Sequence, residues 1–111
     1  MSEERLTNVD LRRHQRILVP SASEIRVTAS AKGARFEGVV TVIGLSGMFI
    51  RANSPPSIGS VLYLQVTSPS VSFASECVVR HVTPNGMGVE LTSLTPENEQ
   101  KLKELLFQLK V

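Results

Sequence analysis

The clearest pattern in the chain is strict alternation. In "SVLYLQV", Ser60 to Val66, an extended strand carries Val61, Tyr63 and Gln65 on one face and Leu62, Leu64 and Val66 on the other. "EIRVTAS" alternates at Ile25 and Val27, and "VSFASECVV" sets Val71, Phe73, Cys77 and Val79 on one side. "FEGVVTVI" is rich in β-branched residues, "GMFIRA" comes after a Leu-Ser-Gly turn, and "GMGVEL" ends the series. Period-two runs broken by Gly, Pro, Asn and Ser clusters predict β structure from Ile17 to Leu91, folded as an antiparallel barrel or sandwich. "TPNG", Thr83 to Gly86, predicts a hairpin: Pro pre-sets one dihedral, and Asn-Gly accommodates a positive one. "NSPPSIG" predicts a loop, because its paired prolines do not suit a central strand.

After Leu91 the period changes. Leu102, Leu105, Leu106 and Leu109 recur at helical spacing, predicting a C-terminal helix with one apolar stripe. Thr95 is its expected N-cap, Pro96 suits its first position, and Glu97 sits at the favourable end of the dipole. The stripe is expected to pack on the barrel; the alternative is a homodimer interface. Residues 1–10 show no apolar periodicity and are expected to form a mobile N-terminal arm ahead of a domain over residues 11–111.

With 111 residues there is material for one core. Hydrophobic residues at 41% and charged ones at 20% fit a globular chain. No apolar run is long enough for a bilayer span, so no membrane insertion is expected. The polar start "MSEERLTNVD" lacks a signal-peptide apolar segment, and the single Cys77 cannot form an intramolecular disulfide. Together these features predict a cytoplasmic location.

Charge changes the picture only through its distribution, since the formal net charge is just +2. Aromatics make up 5% of the chain and no stripe of arginines and aromatics lies along a strand, which argues against a nucleic-acid polymer as partner. An enzyme reading is equally poor. His14 and His81 fit no metal-ligand spacing, no Gly-rich loop opens a helix, and no carboxylate pair stands out. Cys77 and His81 lie at even spacing on one β segment, yet a buried cysteine beside a strand-end histidine is the simpler reading. No cofactor and no metal are expected.

The concentrated feature is "RRHQR". Arg12 and Arg16 are four apart, with Arg13 between. Guanidinium forks match phosphate oxygens and stack on flat bases, so the segment can hold a phosphodiester against the barrel. Taken alone, three arginines near an N-terminus read more readily as a solvated arm than as a site. Arg51 and Arg80, each on a strand, read as solvated surface residues.

Taken with "IGLSGMFI", "PPSIGSVLYLQV", "CVVRHV" and "GMGVELTSLTPE", the arginine segment makes the chain from about Leu11 onward resemble the PilZ domain family, bacterial receptors for the second messenger cyclic di-GMP. The resemblance implies a mostly β fold: a six-stranded antiparallel PilZ-type β-barrel with a C-terminal α-helix. It also implies two ligand motifs, R-x-x-x-R and D/N-x-S-x-x-G. The first matches Arg12 and Arg16, with Arg13 as a common extra arginine. In the second, Gly47 takes the final glycine, so Val42 replaces the Asp or Asn and Gly44 replaces the Ser. Aligning Ser46 with the motif serine instead puts Gly44 at the acid or amide and brings the last glycine too early. The implied contacts to cyclic di-GMP are Arg12, Arg13, Arg16, Ser46 and Gly47. The resemblance allows two functions. One is a cyclic di-GMP receptor that relays the signal to an unidentified effector protein. The other is a barrel that has lost its ligand and works through protein contacts alone.

Overall fold

A computed structural model describes residues 16–31 and 33–110. The strands are β1 (Arg16–Leu18), β2 (Arg26–Ala31), β3 (Ala34–Gly44), β4 (Gly47–Arg51), β5 (Val61–Thr67), β6 (Ser72–Thr83) and β7 (Gly86–Leu91). The chain ends in α1 (Pro96–Lys110). All ladders are antiparallel. The sheet runs β3-β2-β5-β6-β7-β4, and a further β4–β3 ladder closes it into a six-stranded barrel. Strand β1 lies outside the ring and pairs with the last residues of β3. Closure leaves the ring without a free edge.

Inward positions obey the alternation. Along β5, Leu62, Leu64 and Val66 are buried, and Val61, Tyr63 and Gln65 are exposed. On β6 the inward set is Phe73, Ser75, Cys77 and Val79; Ser75 joins it by donating its hydroxyl to the Glu76 carbonyl at 2.8 Å. The interior is otherwise apolar, with Ile43, Ile50, Met48 and Met87 among its fully buried members. Burying such side chains contributes roughly 1.5–3 kcal/mol each.

Two bulges break the alternation, between Val40 and Val42 on β3 and between Val79 and His81 on β6. Each inserts a residue and re-aims the side chains beyond it. Val40 and Ile43 therefore both face the core, while Val42 is half-buried on the outside. On β6, Cys77 points inward and His81 is exposed. The even spacing of Cys77 and His81 thus does not place them on one face, and these two residues do not pair. Burial pushes the Cys77 thiol up to about 12.

The Thr83–Gly86 hairpin forms, but not with the expected backbone. Neither Asn85 nor Gly86 has a positive φ. Gly86 is required for another reason: a Cβ there would run into the Ile50 carbonyl oxygen of the paired strand. The turn is held instead by the Thr83 hydroxyl, which accepts the Asn85 amide at 3.2 Å.

Helix α1 starts as its sequence predicts. The Thr95 hydroxyl accepts the Asn98 amide at 3.2 Å, and the Asn98 side-chain oxygen accepts the Ala74 amide at 3.1 Å, tying the helix start to β6. Leu102 and Leu105 are buried, with Leu106 and Leu109 packed against the core, so the stripe is used within the chain. Glu97–Lys101 and Glu99–Lys103 pairs, each 3.7 Å, lie on its outer side. No helix among the described residues is long and apolar enough to cross a membrane.

Candidate functional site

The outer face of the barrel, where β1, β3, β4, β7 and β6 run side by side, is where the sequence motifs meet. Cross-strand partners share a face. The registers therefore define one outward row of Leu18, Val42, Phe49, Gly88 and His81. Beside it, Arg16 stands opposite Gly44 on β3, and Glu90 stands between Gly47 and Val78. Gly44 and Gly47 flank the Leu45–Ser46 connection, so the candidate motif glycine Gly47 and the departing position Gly44 reach the same edge of this surface.

Here lies a cleft of about 460 Å³ lined by Arg16, Ser46, Gly47, Phe49, Arg80, His81, Gly88 and Glu90, among others. Its lining comes from four strands, β1, β4, β6 and β7. Two arginines face one carboxylate: Arg80 donates from Nε to Glu90 Oε1 at 2.7 Å, with both side chains about half exposed. An exposed pair of this kind adds little stability. What it does is fix both side chains at the rim. The Ser46 carbonyl accepts the Leu91 amide at 2.9 Å, which pins the turn carrying Ser46 to the end of β7.

Of the residues singled out from sequence, Arg16, Ser46 and Gly47 line this cleft together. Val42 and Gly44 are on the same strand face, two positions apart, with Val42 between Leu18 and Phe49. Val42 is not a core residue. Arg12 and Arg13, with the rest of residues 1–15, lie outside the described residues. Arg51 is not in the cleft; it lies across β3 from Arg26, next to Val39. Sequence reasoning sets Arg80 aside as surface and leaves His81, Phe49, Gly88 and Glu90 out of the site. Only the bulge and the β6–β7–β4 register bring them in. Among the described residues no group of His, Cys, Asp or Glu side chains is arranged to hold a metal ion.

Comparison with known proteins agrees with this fold. No curated protein sequence matches the chain. The solved structures share its fold at low identity. The PilZ domain of YcgR from Escherichia coli, solved with c-di-GMP, matches at 12% identity and TM-score 0.70, over 86% of this chain and 88% of that one. The longer YcgR structure, also a c-di-GMP complex, matches at 14% identity and TM-score 0.72, over 86% of this chain and 44% of that one. The PilZ domain of CeSA from a cellulose-synthesizing bacterium matches at 13% identity and TM-score 0.66, over 87% of this chain and 99% of that one. The family model for the PilZ domain matches residues 10–108. The chain therefore belongs to the PilZ domain family.

Proposed function

We propose that the protein is a cyclic di-GMP receptor module, acting by binding rather than catalysis and relaying occupancy to an effector protein. The observation that supports this reading is the meeting of Arg16 with Ser46 and Gly47 in one cleft on the outside of the barrel. Cyclic di-GMP is a dianion with two flat bases. Arg16 offers a planar fork for a phosphate, and Arg12 and Arg13 precede it on the same segment. Ser46 and Gly47 bring the connection between β3 and β4 to the edge of the same cleft. The test is calorimetric titration with cyclic di-GMP of the protein and of Arg12→Ala and Arg16→Ala. Saturable binding that both changes abolish, and that weakens as salt rises, supports the reading; no heat from the parent protein sinks it.

One observation favours the second reading, a barrel that acts through protein contacts alone. The two positions where the family places Asp or Asn and Ser hold Val42 and Gly44. Neither offers a side-chain hydrogen bond, and each bond lost to a neutral group costs about 0.5–1.5 kcal/mol.

A further inference from the structure

Beyond the ligand cleft, the next outward row of the barrel carries two arginines on either side of one valine. Arg26 on β2 and Arg51 on β4 both stand opposite Val39 of β3. Ile25, Val27, Val40 and Ile50 beside them are buried, so alternation sends Arg26, Val39 and Arg51 outward together. Two strand spacings, roughly 9–10 Å, separate the two arginine backbones, and long side chains on one face converge across such a gap. Among the described residues, neither guanidinium makes an ion pair or a hydrogen bond.

The pair divides one groove into two compartments, and Arg26, Val39 and Arg51 line both. One, of about 400 Å³, runs towards the Thr83–Gly86 hairpin and is lined by Glu37, Asn53 and Asn85. The other, of about 360 Å³, runs towards the end of β1 and is lined by Ser21, Glu24 and Thr41. Neither shares a lining residue with the cleft that holds Arg16 and Ser46. The backbone is strained at both ends. Among the described residues, Glu24 and Ser54 are the non-glycine residues with positive φ, each at 53°. Glu24 lines one compartment, and Ser54 follows Asn53 of the other. Such strain gathers where a chain is shaped for a ligand or partner.

The order of charge along the groove selects its occupant. The positive centre lies between Glu24 in one compartment and Glu37 in the other. A nucleotide or other extended polyanion would meet a carboxylate on each side. An extended protein segment with one carboxylate between cationic residues would meet opposite charge throughout. Arginine forks match the two oxygens of a carboxylate, and the side-chain amides of Asn53 and Asn85 suit a peptide backbone, which both donates and accepts.

We propose that this groove is the docking site for the effector: an extended protein segment in which one Asp or Glu, flanked by Lys or Arg, is held between Arg26 and Arg51. This rests on the reading that the module acts through a protein partner. Phe49 and Arg51 are two residues apart on β4, so the docked segment would lie one outward row from the ligand cleft.

The probe is a synthetic peptide, Gly-Lys-Gly-Glu-Gly-Lys-Gly with blocked ends, titrated into the full chain and followed by amide NMR shifts. The same peptide with Gln in place of Glu, and inorganic phosphate, are the controls. Each protein is also titrated calorimetrically with cyclic di-GMP. The site predicts saturable shifts at Arg26, Val39, Arg51 and Asn85 with the Glu peptide. It predicts about tenfold weaker binding in Arg26→Gln and in Arg51→Gln, the scale of one charge-assisted bond. Both arginines are exposed, so both variants should melt with the parent and bind cyclic di-GMP as the parent does. Should either melt early, Arg26→Lys or Arg51→Lys takes its place; it keeps the charge, loses the fork and is expected to weaken the peptide severalfold. A Gln peptide that binds as well as the Glu peptide, phosphate that gives the same shifts with the same affinity, or no shift at all overturns the docking site, whatever cyclic di-GMP does. Loss of cyclic di-GMP binding in the Gln variants also overturns it, because the arginines then belong to the ligand site. If the peptide binds as predicted and the parent gives no heat with cyclic di-GMP, the receptor reading falls and the docking site stands.

Discussion

Arg16 and Gly44 stand directly opposite one another in the β1–β3 ladder. The last residue of the arginine motif and a departing position of the second motif are thus cross-strand neighbours. On the proposed reading, the residue at position 44 sets how closely a ligand held by Arg16 would approach the sheet.

That neighbourhood makes restoration of the family motif a direct test. Val42→Asn with Gly44→Ser should raise affinity for cyclic di-GMP severalfold, since each new bond nets about 0.5–1.5 kcal/mol. Val42 is half-buried and outward, between Leu18 and Phe49, so the barrel should tolerate Asn at a cost within the ~1 kcal/mol span of strand propensities. Calorimetry on the double variant checks this; unchanged affinity in a folded protein would mean that the alignment through Gly47 is wrong.

Leu105 is 2% exposed under α1. Leu105→Asp buries an unpaired charge, and loss of stability beyond about 3 kcal/mol is expected. Chemical denaturation measures it. A variant with the parent's midpoint would show that the helix is not part of the cooperative core.

Gly86→Ala should destabilise by about 1–3 kcal/mol, because its methyl group must displace both the Ile50 carbonyl and the Phe49 ring. A Cβ at Gly88 would meet only His81 Cβ at 3.4 Å and Phe49 Cδ1 at 3.9 Å. Thermal melts of Gly86→Ala and Gly88→Ala side by side check the contrast, the first falling and the second not.

Cys77 gives a pH dependence. Its folded value of about 12 lies above the ordinary value of 9.0 because burial disfavours the thiolate. Stability from the buried thiol is whole below pH 9 and is lost as pH rises towards 12, on the order of 1.4 kcal/mol per pH unit. Denaturation midpoints across this range should fall more steeply for the parent than for Cys77→Ala. Parallel slopes would mean that the thiol does not titrate differently on folding.

How much of the molecule is legible in its sequence depends on whether a feature marks the side chains or the backbone. The β5 faces, the Thr95 cap and the leucine stripe are legible, since each is a spacing of side-chain types. The two bulges are not. An inserted residue changes no composition, so the spacing of Cys77 and His81 suggests a shared face that the β6 bulge abolishes. Ser75 shows the reverse case: a polar residue on an inward position, made tolerable by a hydrogen bond to its own neighbour's carbonyl. At the hairpin, the Asn-Gly pair suggests a positive φ, whereas the glycine answers a steric demand from β4, a strand far away in sequence.

The closed ring leaves β1 as the strand with the fewest bonds to lose. It spans three residues on one ladder, extended by the Val19 amide to the Thr41 carbonyl at 2.9 Å. Amides in the ring are released when the barrel opens, while those of Ile17 and Val19, which face β3, are released by peeling one short strand. Arg16 therefore sits on the part of the sheet that detaches most cheaply. Any anion that grips it must lend its binding free energy to hold that strand down, so occupancy becomes a change in residence time for the chain's entry into the barrel.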